Sequence, residues 1–261
     1  MNKLGFIGAG NMGSALIRGL IRFGAIAPEN VYVCGHHPEA LREFQKEVGF
    51  VICETAQELI ARCDTVLVAI KPYHIEAFLK EHGSALSGKL LLSVISGYAF
   101  DRYTPLLPSD TRHMYIMPNT PCGVGAGVFM FEEKQNLTPD EYAWVKDMFT
   151  HIGEVFTLPS HLMSIGSAVA GCGPAFIAMA IEALADSAVK YGIPRKLAYR
   201  LVSQMTLGTA KLQLETNQHP GVIKDGVCSP HGTTICGVEA LERAGMRAAF
   251  MDAVDAVMDR G

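Results

Sequence analysis

Apolar residues in the first part of the chain, from residue 4 to about residue 160, come in short runs rich in branched side chains, separated by amphipathic stretches. This alternation is typical of βαβ units that build a parallel sheet. Residues 65–70 and 90–95 are apolar on both faces, as expected for central strands covered by helices on each side. The six predicted strands are residues 4–7, 31–34, 50–52, 65–70, 90–95 and 113–117. We therefore predict a doubly wound α/β domain over residues 1–160.

After about residue 160 the strand runs stop, and apolar residues recur at helical spacing. Pro174 is suited to begin a helix that Gly192 ends, and a second helix is predicted to begin at Pro194. One apolar face of the second helix, predicted to be buried, carries Leu197, Leu201, Val202 and Met205.

Two more helices are predicted, one from about Ile235 to Arg243 and one after Gly245. The second domain, residues 161–261, is therefore expected to be all-helical. Its helices are rich in Ala and Met but short of aromatic bulk, which favours burial of some apolar faces against a second subunit. We accordingly expect a homodimer, or a larger homo-oligomer of dimers.

Composition narrows the class of protein. The 261 residues include 22 Lys and Arg against 26 Asp and Glu, a net charge of −4, and no basic cluster that would attract nucleic acid or an anionic membrane. Two uncharged stretches, residues 113–131 and 161–181, are interrupted by Gly and Pro, so no membrane span is predicted. The histidines lack metal-ligand spacing. Seven dispersed cysteines and the absence of a targeting pattern favour reduced thiols in the cytoplasm.

A glycine-rich motif follows the first predicted strand and leads into an amphipathic helix that ends near Gly24. The motif is Gly8-Ala9-Gly10-Asn11-Met12-Gly13. In this context the first glycine permits a tight turn, the second lets a pyrophosphate approach the backbone, and the third allows close helix–strand packing. We expect a dinucleotide at this helix N-terminus, and hence a Rossmann-type domain.

The choice of dinucleotide is expected at the end of the second strand, where an acid selects NAD and a basic residue favours the 2′-phosphate of NADP. The sequence there carries no acid; it reads Cys34-Gly35-His36-His37-Pro38. This favours NADPH, with His36 as the contact and a charge that depends on pH. Two alternatives stay open: the cofactor is NADH, or His36 and His37 simply lie in a solvated turn.

A second candidate site is the loop Ser229-Pro230-His231-Gly232-Thr233-Thr234, immediately before the helix predicted near Ile235. Backbone N–H groups and the helix dipole can hold a carboxylate there, and the hydroxyls of Ser229, Thr233 and Thr234 can add directed hydrogen bonds. The alternative is that Thr233 or Thr234 simply caps the helix.

Four further motifs join the fingerprint over nearly the whole chain: Ala69-Ile70-Lys71-Pro72, Met117-Pro118-Asn119-Thr120-Pro121, Gly171-Cys172-Gly173-Pro174-Ala175-Phe176 and residues 225–234. Together they resemble the pyrroline-5-carboxylate reductase family. The resemblance implies a Rossmann domain with a helical dimerisation domain, and reduction of 1-pyrroline-5-carboxylate to proline with NADPH or NADH, the last step of proline biosynthesis.

The resemblance also implies roles for single residues. The Thr234 hydroxyl would bind the substrate ring nitrogen and be the catalytic residue, while Ser229, Gly232 and Thr233 complete a loop whose amides anchor the substrate carboxylate. Ala69, Lys71, Pro72 and Asn119 would line the cofactor site, with Lys71 and Asn119 near the nicotinamide.

The chain departs from the family pattern at His231, which replaces a glycine, and at Cys172, Gly35-His36 and Ala56. These departures bear on cofactor preference and substrate affinity more than on the reaction type. Two alternatives stay open. One is a related NADP-dependent imine or β-hydroxyacid reductase, for which Lys190 or Lys211 would be the candidate lysine; the other is a non-catalytic NADP-binding paralogue.

Overall fold

An eight-stranded sheet runs through the first part of the computed structural model, which describes residues 3–260. Its strands are β1 (Leu4–Ile7), β2 (Val31–Cys34), β3 (Val51–Ile52), β4 (Thr65–Val68), β5 (Leu90–Ser93), β6 (Arg112–Pro118), β7 (Gly127–Glu132) and β8 (Gly153–Leu158). The spatial order is β3-β2-β1-β4-β5-β6-β7-β8, and only the β6–β7 pair is antiparallel. The first six strands have the order of a Rossmann sheet, which confirms the predicted fold class.

Helices cover both faces of this sheet. They are α1 (Asn11–Arg22), α2 (Pro38–Val48), α3 (Ala56–Arg62), α4 (Ile75–His82), α5 (Phe100–Tyr103), α6 (Pro139–Thr150) and α7 (Met163–Gly166). Adjacent residues of β1 show the two layers: Phe6 packs in the cluster that contains Leu16, and Ile7 in the cluster that contains Leu59. Because side chains alternate across a strand, the sheet is doubly wound.

The structure corrects several predicted strand ends. Strands β1 and β2 have the predicted bounds, but the strands predicted at 65–70 and 90–95 end at Val68 and Ser93, where the chain turns into the loops of the carboxyl edge. The strand predicted at 50–52 keeps only Val51–Ile52, and the one at 113–117 extends over Arg112–Pro118.

Strands β7 and β8 were not predicted. Gly127 begins β7 within a glycine-rich stretch, a composition typical of a loop. A Cβ on Gly153, the first residue of β8, would lie 2.1 Å from the Gly127 carbonyl oxygen, so these two strands pair at a distance that only glycine allows.

The described chain divides into two units, residues 3–172 and residues 173–260. The predicted boundary at 160/161 thus lies before a segment that groups with the sheet. Met163 is buried against Tyr115 and Met130, and Ala168 is fully buried.

The second unit is helical throughout. It contains α8 (Gly173–Lys190), α9 (Arg195–Thr216), α10 (Pro220–Gly226), α11 (Thr233–Arg243) and α12 (Met246–Met258). The helices predicted at Pro194 and Ile235 begin at Arg195 and Thr233, and Pro194 is the residue that precedes α9.

Apolar side chains of this helical unit stay largely exposed in a single chain. Among residues 173–260, only Ala185 and Ala198 are buried. The prediction that one face of α9 is buried is wrong for the isolated chain, since Leu197, Leu201 and Met205 are 48%, 49% and 50% exposed.

One helical stretch, residues 160–190, is long and apolar enough to cross a membrane by length and composition, with a mean hydropathy of 1.7 in its most apolar window. A single helix of this kind is weak evidence for a span. The stretch includes a π-helical segment, Ser167–Gly171.

Candidate active site

The loop after β1 has a backbone that only glycine adopts easily. Gly8 has a φ of +103°, and its N–H donates to the Cys34 carbonyl oxygen at the end of β2 over 2.8 Å. A Cβ on Gly8 would lie 2.8 Å from the Ala69 carbonyl oxygen, just beyond β4. Gly8 therefore makes the tight turn predicted for the first glycine of the fingerprint.

The other two fingerprint glycines have opposite surroundings. A Cβ on Gly13 would lie 2.3 Å from the Gly8 carbonyl oxygen, so the start of α1 packs directly on the loop. A Cβ on Gly10 would meet no atom within 4 Å. The open side of Gly10 is the space that a pyrophosphate needs for close approach to the backbone.

The N-terminus of α1 is itself suited to an anion. Gly10 precedes the helix, no side chain caps it, and its first turn contains no acid. The first-turn N–H groups, which have no partner inside a helix, stay available to a ligand. Within the fingerprint, Ala9 is half-buried, Asn11 is exposed at the helix start, and Met12 packs against the core. These residues fit a dinucleotide.

The candidate cofactor residues after β4 lie at the carboxyl edge of the sheet, next to the fingerprint loop. The Ala69 N–H donates to the Ile7 carbonyl oxygen over 2.9 Å, which joins the end of β4 to the end of β1. Lys71 and Pro72 follow, both exposed. Strand order reverses between β1 and β4, and ligands of open α/β sheets bind at this switch point.

His36 follows β2 and is exposed. Its ring lies 6.4 Å, centroid to centroid, from the ring of His74, which belongs to the short 3-10 turn Pro72–His74 after β4. Burial and the Glu58 carboxylate raise the pKa of the neighbouring Cys34 thiol, so this end of β2 carries no thiolate at neutral pH.

Asn119 is buried, with 6% of its surface exposed, and both ends of its amide have protein partners. Its Nδ2 donates to the Ala170 carbonyl oxygen over 3.0 Å, and its Oδ1 accepts from the Val128 N–H over 2.9 Å. The side chain thus orders the chain after β6. Its predicted place near the nicotinamide stays a prediction.

In the helical unit, the candidate substrate loop ends at the N-terminus of α11. Gly232 precedes the helix, and its N–H donates to the Ser229 carbonyl oxygen over 2.9 Å. No side chain of the described residues caps α11, and its first turn contains no acid. Neither Thr233 nor Thr234 is the capping residue, which removes the purely structural alternative for them.

Three hydroxyl groups in this loop have no hydrogen-bond partner among residues 3–260: those of Ser229, Thr233 and Thr234. A Cβ on Gly232 would lie 2.9 Å from the Ser229 carbonyl oxygen, a backbone atom, so the closed loop favours glycine there. His231 has a φ of +57°, in the left-handed region where glycine is favoured. The loop combines free hydroxyls with the free N–H groups of a helix start, which suits a small carboxylate.

Comparisons with known proteins cover nearly the whole chain. The profile of the family described as pyrroline-5-carboxylate reductase dimerisation matches residues 160–261, and a profile described as NADP oxidoreductase coenzyme F420-dependent matches residues 3–97. The pyrroline-5-carboxylate reductase of Treponema pallidum is 39% identical over 260 residues, covering 98% of both chains. That of Escherichia coli strain K12 is 38% identical over 259 residues, covering 99% of this chain and 96% of its own.

The chain belongs to the pyrroline-5-carboxylate reductase family. Its fold agrees with a crystal structure of Plasmodium falciparum pyrroline carboxylate reductase with NADP bound, at a TM-score of 0.89 and 32% identity. That similarity covers 99% of this chain and 96% of the other. Both the Rossmann domain and the helical dimerisation domain expected from the sequence are therefore family features of this chain.

Sequence reasoning missed two relationships in this pyrroline-5-carboxylate reductase family member. It did not single out Ala170, whose carbonyl oxygen accepts a hydrogen bond from the side-chain amide of Asn119, 51 residues earlier in the chain. It also did not single out His74, although its distance of three residues from Lys71 and the adjacency of β2, β1 and β4 were a usable signal.

Proposed function

We propose that this chain is an NAD(P)H-dependent reductase that converts 1-pyrroline-5-carboxylate to L-proline, the last step of proline biosynthesis. Family membership over the full length supports this reading. The observation that carries it is the uncapped start of α11 with the free Ser229, Thr233 and Thr234 hydroxyls beside it. A substrate with one carboxylate and one ring nitrogen matches that donor set.

The sheet unit provides the cofactor site. Residues 8–13 and the α1 N-terminus hold the pyrophosphate, while His36 contacts the adenosine end. Ala69, Lys71, Pro72 and Asn119 form the nicotinamide side, where Asn119 orders the chain around the site. NADPH is the preferred cofactor and NADH a possible one. When bound, the cofactor supplies the hydride.

The residues of the helical unit bind and orient the substrate. The N–H groups at the start of α11, with Gly232, anchor the carboxylate, and the Thr234 hydroxyl hydrogen-bonds the ring nitrogen. The hydroxyl accepts from the N–H of the protonated imine and stays in contact with the product amine. Catalysis by the protein is mainly positioning, because a pinned carboxylate and a held nitrogen fix the imine carbon for transfer.

The dimerisation profile over residues 160–261 supports a homo-oligomer, and we propose a homodimer or an oligomer of dimers. The exposed apolar faces of α8 and α9, with Met179 at 69% and Leu207 at 58%, supply the surface. All seven cysteines are free, which agrees with a reducing compartment, and we propose the cytoplasm.

The alternative reductase gains no support from its candidate lysines. Lys190 lies over its own neighbour Tyr191, 5.6 Å from the ring centroid, and Lys211 pairs with Glu215 over 3.5 Å. Both are exposed, as solvated lysines on helix surfaces are.

The test is oxidation of NADPH, and separately of NADH, by the purified protein with 1-pyrroline-5-carboxylate. We expect saturable turnover, and a loss of about tenfold or more in kcat/KM for Thr234→Ala, because a hydrogen bond to a charged group is lost. Thr234→Ser keeps the hydroxyl and should retain most activity, as should Thr150→Ala at the exposed end of α6. No turnover despite NADPH binding would favour the non-catalytic paralogue. Full activity in Thr234→Ala would refute the nitrogen contact.

A further inference from the structure

Four basic side chains surround the carboxyl ends of β2 and β4 without internal partners. His36, His37, Lys71 and His74 are all exposed, and none of their side chains forms a hydrogen bond or ion pair with another described residue. Elsewhere in the sheet unit, cations are commonly paired, as Arg18 is with Glu47 and Arg112 with Glu141. An unpaired basic group beside a fingerprint loop favours an anionic ligand.

Within this group, His36 and His74 form a pair. Their ring centroids are 6.4 Å apart with the ring planes tilted by 44°, although one residue follows β2 and the other follows β4. The exposed Tyr73 ring lies 4.4 Å from the His74 ring, so the His74 imidazole is supported on one side. The two imidazoles are close enough for one phosphate group to accept hydrogen bonds from both.

The carboxylates on the neighbouring elements are largely engaged by other groups. Glu76 of α4 accepts from the Tyr98 hydroxyl over 2.7 Å and pairs with Arg102 over 3.6 Å. Glu58 of α3 pairs with Arg62 over 2.9 Å and accepts from the Glu54 N–H. Glu39 is exposed in the first turn of α2. Farther along α2, Glu43 pairs with Lys46 and Glu47 with Arg18, and Arg42 is the remaining charged residue. The last turn of α4 carries Lys80, Glu81 and His82, with Glu81 3.6 Å from the His82 ring nitrogen. No described carboxylate forms an ion pair with His36 or His74.

We infer that His74 joins His36 in binding the 2′-phosphate of NADPH, and that this imidazole pair selects NADPH over NADH. The inference rests on the proposed cofactor. The end of β2 is where the 2′ position of the adenosine ribose lies in a Rossmann domain, and His74 reaches it from the end of β4. Each imidazole carries a ring N–H that can donate to a phosphate oxygen.

The test compares 2′,5′-ADP with 5′-AMP, two probes that differ only by the 2′-phosphate, together with NADPH and NADH. Binding of each probe to the full chain is measured in one buffer for all variants. We expect His74→Gln to weaken NADPH and 2′,5′-ADP binding by about tenfold, as loss of a hydrogen bond to a charged group does. NADH and 5′-AMP should change by less than about twofold.

The matched control is His37→Gln, which removes a neighbouring imidazole outside the ring pair. In the His36→Gln/His74→Gln double variant, which lacks both rings of the pair, the NADPH-to-NADH preference should fall further than in His74→Gln.

Separate results decide the two proposals. If the wild type binds NADPH and reduces 1-pyrroline-5-carboxylate while His74→Gln leaves the NADPH-to-NADH ratio unchanged, the inference is wrong and the proposed function stands. An equal effect of His37→Gln and His74→Gln would also overturn it, because it would indicate a diffuse positive field. A wild type that binds neither dinucleotide would overturn the proposed function and this inference together.

Discussion

The side-chain amide of Asn119 donates to the backbone carbonyl oxygen of Ala170 over 3.0 Å, and Ala170 lies in the π-helical segment Ser167–Gly171. In that segment the Cys172 N–H donates to the Ser167 carbonyl oxygen, five residues earlier. A π-helical turn leaves carbonyl groups outside the regular ladder, and such turns occur often at functional sites. Asn119 therefore satisfies a carbonyl at the point where the chain leaves the sheet unit.

Replacing Asn119 by leucine should lower the free energy of unfolding by ~2–4 kcal/mol, because the Val128 N–H and the Ala170 carbonyl both lose a buried partner. Asn119→Asp keeps an acceptor for the Val128 N–H but turns a carboxylate oxygen toward the Ala170 carbonyl, so it should also be destabilised, by a buried charge. Urea unfolding measures both variants. Unchanged stability in Asn119→Leu would show that the two hydrogen bonds contribute nothing net.

Two fingerprint glycines should respond differently to alanine. Gly10→Ala places its methyl group in open space, so we expect native stability but at least about tenfold weaker NADPH binding, because the pyrophosphate loses its approach. Gly13→Ala drives a methyl group into the Gly8 carbonyl and should lower the melting temperature. Thermal unfolding and nicotinamide fluorescence together check the pair. If a folded Gly10→Ala variant binds NADPH with native affinity, the proposed pyrophosphate contact at Gly10 is wrong.

The free energy of unfolding should decrease as the pH is lowered, partly because of His113. This side chain is 3% exposed, its ring stacks on Phe100 at 4.2 Å, and its Nδ1 has no partner among the described residues. Burial lowers the pKa of His113, so the unfolded chain binds the proton more readily. This contribution is therefore complete above the ordinary imidazole pKa of about 6.5 and is lost as the pH drops below it.

The measurement is the unfolding free energy across that pH range for wild type and His113→Phe. The loss on acidification should be smaller in the variant, whatever its absolute stability. His161→Gln, at an exposed imidazole, serves as control and should follow the wild type. Parallel pH profiles for wild type and His113→Phe would contradict the assignment.

His231 offers a test of backbone strain at the substrate loop. With a φ of +57°, its conformation suits glycine and is poor for a β-branched residue. His231→Gly should stay within about 1 kcal/mol of the wild type, since relieved strain and the added freedom of the unfolded chain offset each other. His231→Val should be less stable than His231→Gly by ~1–2 kcal/mol. Chemical denaturation checks the order, and equal stabilities would contradict it.

The melting temperature should rise with protein concentration. A helical unit in which only Ala185 and Ala198 are buried, among residues 173–260, has little core of its own, so association must supply apolar burial. Light scattering at matched concentrations measures the oligomer. A concentration-independent melting temperature together with a monomeric mass would refute the proposed assembly.

The sequence pattern predicted the features that depend on residues close together in the chain. The apolar runs at residues 4–7 and 31–34 predicted β1 and β2 with the observed bounds, and the spacing of the fingerprint predicted the tight turn at Gly8 and the close packing at Gly13. The pyrophosphate contact at Gly10 stays a prediction. The pairing of strands that are distant in the sequence could not be predicted as well. Strand β7 was missed because its glycine-rich start is typical of a loop, and its partners become evident only when β6 and β8 are placed.

The candidate site shows the same division. The hydroxyls of the 229–234 loop could be identified from the sequence because the loop adjoins a helix predicted near Ile235, although the helix begins two residues earlier, at Thr233. The conformation of His231 and the partners of Asn119 could not, since both depend on how remote segments pack. The His36–His74 pair lay between these cases: β2 and β4 both flank β1, but the ring distance required coordinates.

The N-terminus of α11, which no side chain caps, would couple substrate binding to local order under the proposed function. Serine and aspartate are preferred before a helix because they accept from its first N–H groups, and here the substrate carboxylate would take that place. Product release would then leave those N–H groups without this partner, and the helix end would fray more easily. Protection of the Thr233 and Thr234 amides from hydrogen exchange should therefore follow site occupancy.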